Sequence, residues 1–288
     1  MTSAEAPPRT AGEMLARARE FLERKGVESP RLSAELLVAR ALGLERLQLY
    51  LQLDRPIAEE ELARARALLV RRGRHEPVAY ITGQREFYGR SFDVRPGVLV
   101  PRPETELIVD LAREAHKRST IASVLDVGVG SGCLAITLAL ELGASRVVAI
   151  DISEKALAVA RANAERLAAQ VECVLGDGPE SLGAREPFDL IVSNPPYIPP
   201  QDAASLAPDV RDWEPAEALY TPAGDPDHWL MRLVRACVER LSRDGLAFVE
   251  LGQGQAERAL EIARQASLQA RTHRDYGGIE RVLELRRV

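Results

Sequence analysis

The sequence predicts an α/β protein in which a largely parallel sheet, covered by helices on both faces, follows a small N-terminal helical bundle and a β-hairpin linker. Three observations predict it. From Thr105 onward, short apolar runs that read as strands alternate with helical patterns, as a parallel sheet flanked on both faces requires. Ahead of Arg72 the apolar residues recur at helical spacing. Between Glu76 and Val100, aromatic and β-branched residues are punctuated by Gly83, Gly89, Pro96 and Gly97, the pattern of strands joined by turns. Domain boundaries follow at 1–75, 76–104 and 105–288.

The elements can be read in order. Thr10 followed by Glu13 is a capping-box pattern, Leu15, Ala18 and Leu22 share one helical face, and Gly26 stands where that helix stops. Ser29 is placed to cap a second helix with Pro30 at its first position, Leu32, Leu36 and Ala39 along one face, and Gly43 as the terminator. Leu44 to Tyr50 reads as a short helix. After Pro56 another runs to Arg72, with Leu62, Ala65 and Leu69 inward and Gly73 closing it. A helix from Thr105 then leads to strands at 123–127, 146–152, 171–175 and 188–193, with helices from Cys133 and Glu154 between the first three. A strand at 245–251, a helix at 255–266 and a last strand at 281–285 complete the chain.

With 46% hydrophobic and 28% charged residues, the composition is that of a globular enzyme and not of a disordered chain. Cys133, Cys173 and Cys237 lie far apart, so no CxxC pair exists and a reducing, cytoplasmic setting is expected. No secretory signal or membrane span is read. The first 75 residues carry 14 Lys and Arg against 11 Asp and Glu, net +3, which leaves 24 against 32, net −8, for the remainder. An acidic C-terminal part argues against a stable nucleic-acid partner, because phosphate neutralisation supplies most of that affinity.

Asp126, Gly128, Gly130 and Gly132, interleaved with Val129, Ser131 and Cys133, fall on the turn between the first strand of the sheet and its helix. Glycines there let the backbone approach a ligand and leave amides free at a helix N-terminus. Asp151 ends the next strand, 21 residues beyond Gly130, where a carboxylate can accept from both hydroxyls of a ribose. The pattern is that of an adenosine site, and it resembles the first motif of class I methyltransferases more than the GxGxxG of dinucleotide enzymes. Asp177 and Gly178, closing the third strand, stand where such folds contact adenine.

Asn194, Pro195, Pro196 and Tyr197 follow the strand 188–193 at its C-terminal end, the edge where open α/β sheets bind ligands. Two prolines remove two amide donors and stiffen the chain, so the Pro195 carbonyl lacks a regular partner and the Asn194 side chain is expected in the cleft. A planar NH2 group needs two acceptors. The Asn194 oxygen and the Pro195 carbonyl can supply them, with Tyr197 packed over the plane. The nitrogen lone pair is then aimed at a sulfonium methyl without a metal or a covalent intermediate. The motif alone does not distinguish a glutamine amide from the amino group of adenine.

Taken together, these residues resemble the bacterial release-factor glutamine N5-methyltransferases, the PrmC/HemK family, over nearly the whole length. The resemblance is specific in three segments: Pro77, Tyr80, Gly83, Phe87 and Gly89; Val100, Pro101, Arg102, Pro103, Glu104, Thr105 and Glu106; and Glu214, Pro215, Ala218 and Leu219. It implies a class I, Rossmann-like, seven-stranded methyltransferase domain and S-adenosylmethionine as cofactor. The implied substrate is the glutamine in the Gly-Gly-Gln loop of class 1 peptide chain release factors. It further implies cofactor contacts from Gly128 to Gly132, Asp151 and Asn194, a grip on the glutamine amide by Asn194 to Tyr197, and a helical front that helps hold the protein substrate. A monomer is expected. Gly178 stands where family members often have an aromatic residue, and 220–227 differs from the family's glycine-rich stretch.

The remaining candidates weigh less. His75, His116, His228 and His273 are scattered without metal-ligand spacing, so no metal site is expected. Arg102 and Glu104 could order the linker against the cofactor pocket or form a structural ion pair. Trp213 and Trp229 read as packing residues, the run Arg71, Arg72 and Arg74 as a solvated helix end, and Glu250 with Gly252 as structural. Adenine N6 methylation and a non-catalytic cofactor-binding role are the competing readings.

Overall fold

The computed structural model describes residues 7–184 and 186–287. Its first helices are α1 (Ala11–Arg24), α2 (Pro30–Leu42), α3 (Arg46–Leu51), α4 (Glu59–Arg72) and α5 (Val78–Thr82). A hairpin of β1 (Gln84–Phe87) and β2 (Arg90–Asp93) leads to α6 (Glu106–His116), β3 (Ser123–Val127), α7 (Cys133–Leu142), β4 (Arg146–Asp151), α8 (Glu154–Arg166), β5 (Glu172–Leu175) and β6 (Phe188–Ser193). Two single-turn helices, α9 (Pro208–Arg211) and α10 (Ala216–Leu219), precede α11 (His228–Arg240), β7 (Leu241–Glu250), α12 (Ala256–Gln265), β8 (Leu268–Arg274) and β9 (Glu280–Arg287).

The chain forms two compact units. One runs through Gly83 and includes Leu206–Trp213; the other holds Gln84–Ser205 and the rest from Glu214. In the first, Ala11, Met14, Ala18 and Leu22 of α1 meet Ala34, Leu37 and Val38 of α2 and Ala65 and Leu69 of α4. Thr10 accepts from the Glu13 amide at 3.2 Å as a cap should, but Glu13 returns its bond to the Arg9 amide, not to Thr10. Two expectations for α2 are corrected. Ser29 has a left-handed backbone and makes no side-chain cap. The buried face is one step round from the expected one: Leu32 is exposed and Leu36 half-buried, because α2 is so rich in apolar residues that periodicity alone does not single out a stripe.

In the first unit, Arg72 is not a solvated helix end. It is buried and donates to the Glu28 and Glu76 carbonyls, to Ser33 Oγ at 3.3 Å and to Asp209 Oδ2 at 3.1 Å. The segment expected as strands from residue 76 begins instead with α5, stopped by Gly83 at φ +79°.

In the second unit seven strands run in the order β5-β4-β3-β6-β7-β9-β8. β5 through β7 are parallel, and β9 pairs antiparallel with both β7 and β8. Helix α11 and strand β8 were not anticipated. The first starts beyond a run of Pro and Asp residues that hides its onset, and β8 alternates polar side chains with few apolar ones. β3 is buried along its whole length, with α6, α7 and α8 on one face and α11 and α12 on the other. Chain order reverses between β3 and β6, whose ends are in register at Val127 and Ser193. The loops leaving these two strands therefore open a crevice at the C-terminal edge of the sheet.

Candidate active site

The crevice is a cleft with about 1010 Å³ of empty space, its open mouth included. Gly128, Val129, Gly130, Ser131, Asp151, Gly178, Asn194, Pro195 and Pro196 all line it, whereas Gly132 shapes the loop from behind without lining the cleft. The loop after β3 is shaped by close packing. Gly132 has φ +84° at the N-cap of α7, and a Cβ there would lie 2.7 Å from Ile136 Cδ1 and 3.2 Å from Ala160 Cβ. Only glycine combines that backbone with that approach. The loop is tied from beneath by Asn163 of α8, fully buried, which donates to the Ser131 carbonyl at 2.9 Å and the Asp93 carbonyl at 3.0 Å.

Two carboxylates face the cleft from strand ends. Asp151 Oδ2 accepts from the Gly130 amide and Oδ1 from the Ser153 amide, both at 2.9 Å, while burial raises its pKa. Each oxygen keeps a further lone pair. Asp126 is 1% exposed; its Oδ2 accepts from the Ala135 amide at 3.1 Å and its Oδ1 has no partner among the described residues. Burial pushes this carboxyl up to about 8, with the Asp151 charge adding to the effect. A buried acceptor left unpaired against a cleft is a site for a donor or a cation from a ligand.

Asp177 lies elsewhere. Its side chain is exposed and pairs with Arg232 of α11 at 3.0 Å, and it does not line the cleft. Arg232 also bonds the Asp177 carbonyl and Glu180, and it stacks over the Trp229 ring at 4.7 Å. A Cβ on Gly178 would collide with this guanidinium. Trp229 and Gly178 both line the cleft. Arg102, also at the wall, pairs with Glu214 at 2.7 Å, and the buried Glu214 accepts from the Val100 amide at 3.3 Å.

Asn194 is half-buried at the exit of β6. Its Nδ2 donates to Thr105 Oγ1 at 3.0 Å, and its Oδ1 has no partner among the described residues. The Thr105 hydroxyl donates to Glu250 Oε2 at 2.5 Å, and the Tyr197 hydroxyl approaches Glu250 Oε1 at 3.4 Å. Glu250, 2% exposed, is pushed up to about 7, chiefly by burial and against the Thr105 hydrogen bond. Burial and the neighbouring carboxylate also raise Tyr197. Tyr197 is set from the other side by Gln255, which donates to its carbonyl at 3.0 Å. The Pro195 carbonyl accepts no backbone hydrogen bond among the described residues.

Sequence reasoning missed Thr105 and Glu250 as neighbours of Asn194, Asn163 as the support of the glycine loop, and Trp229 as cleft wall. One signal was available for Glu250: an acid closing an otherwise apolar strand at the sheet's ligand-binding edge. For Asn163, on a helix face among alanines, there was none.

A family model described as PrmC N-terminal domain matches residues 13–83, and one described as methyltransferase small domain matches residues 105–208. The chain is 46% identical over 267 residues to the release factor glutamine methyltransferase of Geobacter sulfurreducens, covering 92% of each. It is 40% identical over 283 residues to that of Chlorobaculum tepidum, covering 94% of this chain and 95% of the relative. Among solved structures, a methyltransferase from Pyrococcus furiosus superposes with a TM-score of 0.51 at 16% identity, over 69% of this chain and 89% of that one. The T. thermophilus 16S rRNA N2 G1207 methyltransferase in complex with AdoMet and guanosine superposes with a TM-score of 0.52 at 19% identity, over 71% and 50%. These two likenesses show the fold. The full-length identities show the family: this chain belongs to the release factor glutamine methyltransferases.

Proposed function

We propose that the protein transfers a methyl group from S-adenosylmethionine to the side-chain amide nitrogen of the glutamine in the Gly-Gly-Gln loop of class 1 peptide chain release factors. The observation that carries this is the free Asn194 Oδ1 beside the unpaired Pro195 carbonyl, at the lip of a cleft that suits a cationic nucleoside. The residues fit the cofactor. The orphaned Asp126 Oδ1 suits an ammonium group, the Asp151 oxygens suit a ribose diol, and Gly178 with Trp229 leaves a slot for a flat ring. We assign cofactor binding to Gly128–Gly132, Asp151, Gly178 and Asn194, with Asp177 acting through Arg232.

The cofactor, when bound, supplies a methyl carried on a sulfonium. The chain's part is orientation. Asn194 Oδ1 and the Pro195 carbonyl accept the two amide hydrogens, Tyr197 covers the plane, and Pro196 keeps the strand exit stiff. Holding the nitrogen in line with the departing sulfur can contribute about 7–11 kcal/mol towards the barrier. No group need change protonation before transfer, because the methylated amide can lose its extra proton to water.

In this reading residues 1–75 help to hold the release factor, 76–104 link and order, and 105–288 carry out transfer. The enzyme acts in the cytoplasm as a monomer without a stable nucleic-acid partner; no helix among the described residues is long and apolar enough to cross a membrane. The test supplies labelled S-adenosylmethionine with a release factor whose loop glutamine is intact or replaced. Label should appear only in the intact form. Equal labelling of both, or transfer to DNA or RNA and not to protein, would overturn the assignment.

A further inference from the structure

Acceptance of a substrate NH2 group needs Asn194 to present its oxygen, yet an amide side chain can turn over about its last bond and present its nitrogen in nearly the same shape. Nothing in the motif itself makes that choice. The neighbouring network makes it. Thr105 Oγ1, 2% exposed at the start of α6, lies 3.0 Å from Asn194 Nδ2 and 2.5 Å from Glu250 Oε2.

A hydroxyl has one proton to give, and an ionised carboxylate can only accept. Above about pH 7, where Glu250 is ionised, the Thr105 proton is therefore committed to it, and the Thr105 oxygen can only accept from Asn194. With Asn194 turned over, Oδ1 and the Glu250 carboxylate would compete for the same proton, and a buried acceptor would be left unpaired. Glu250 Oε1 takes the Tyr197 hydroxyl at 3.4 Å, so one carboxylate fixes both polar ends of the motif. Arg281 favours its charge and Glu104 opposes it.

We propose that Thr105 and Glu250 are positioning residues that lock the amide orientation of Asn194, Glu250 by fixing the direction of the Thr105 hydroxyl and Thr105 by holding Asn194 Nδ2 away from the substrate. The proposal rests on Asn194 as the acceptor of the substrate amide hydrogens. It differs from a packing role in needing the hydroxyl and not the shape.

Thr105→Val keeps the shape and removes the hydroxyl; Thr105→Ser keeps the hydroxyl. Methylation of an intact release factor is followed with labelled S-adenosylmethionine, and cofactor-site integrity with S-adenosylhomocysteine binding. The expected result for Thr105→Val is a fall in kcat on the order of 10²-fold, as for a misoriented reacting group, with KM for the release factor and Kd for S-adenosylhomocysteine each within about threefold of the parent. Thr105→Ser should keep kcat within about fivefold. In an Asn194→Ala background, Thr105→Val should cost less than about twofold more, since its effect passes through Asn194.

Wild-type kcat in Thr105→Val, an equal loss in Thr105→Ser, or full additivity with Asn194→Ala overturns the proposal. If Thr105→Val does not fold, Thr105→Ala is the second hydroxyl-free variant and is judged by the same outcomes. Should Asn194→Ala itself turn over like the parent, the assignment of Asn194 fails; should it be crippled while Thr105→Val is not, only the orienting role fails.

Discussion

Replacing Asp126 by Asn should make the cofactor-free protein more stable while weakening its grip on the cofactor. The carboxyl is buried, accepts one amide bond and is pushed up to about 8 from an ordinary value of 3.8. The unfolded chain loses this proton near 3.8, whereas the native chain keeps it to about 8. Native protein thus binds the extra proton between those values, and stability falls as pH rises through that window and is flat above it. Each unit is worth about 1.4 kcal/mol, which sets a ceiling of ~4 kcal/mol at neutral pH. A compact unfolded state and water reaching the cleft reduce this to about 1–4 kcal/mol. Asparagine carries no such penalty and can still accept from Ala135.

Urea unfolding of cofactor-free parent and variant near pH 4.5 and near pH 7.5 measures this, with the gain expected only at the higher pH. Calorimetry should find S-adenosylmethionine bound about tenfold more weakly by the variant, as expected when a paired charge is lost. A variant no more stable than the parent near pH 7.5, or a gain that is the same at both pH values, would show that the native carboxyl is already ionised and the reasoning wrong.

Asn194→Ala should lower kcat by 10²-fold or more, combining the roughly 1–3 kcal/mol of an unmade buried hydrogen bond with lost orientation, and leave S-adenosylhomocysteine affinity within about fivefold; kinetics beside calorimetry separate the two. Gly132→Ala places a Cβ against Ile136 and Ala160 at φ +84°, and the left-handed strain plus overpacking should destabilise the protein by about 2–5 kcal/mol in urea unfolding. Trp229→Ala should raise the Kd for S-adenosylhomocysteine about tenfold, from lost ring contact of about 1–2 kcal/mol, while Trp229→Phe stays near the parent; unchanged affinity in Trp229→Ala would remove it from the cleft wall.

Strands β3 and β6 were legible because both are buried runs ended by residues of unmistakable chemistry, Asp126 with the glycines and Asn194 with the prolines. The helix faces were less so: in α2 nearly every position is apolar, and burial at Leu37 and not Leu32 is decided by which neighbours α1 and α4 present. Asp177 could be placed at a strand end but not on a side of the chain, since its partner Arg232 lies on α11, 55 residues away. The same limit hid the Thr105, Asn194 and Glu250 cluster, whose members are separated by 89 and 145 residues from Thr105 and meet only through the order of the sheet.

That order has a consequence for synthesis. β7, which ends in Glu250, is flanked by β6 on one edge and by β9 on the other, and β9 follows it in the chain only after α12 and β8. A ribosome releases β3 to β6, with both motifs, long before β9 exists. Until Val282 and Leu283 pair with Glu250 and Val249, the outer edge of β7 has no strand to hold it. The groups that make the cleft can therefore be present in a nascent chain while the strand that carries the Glu250 carboxylate is still held along one edge only.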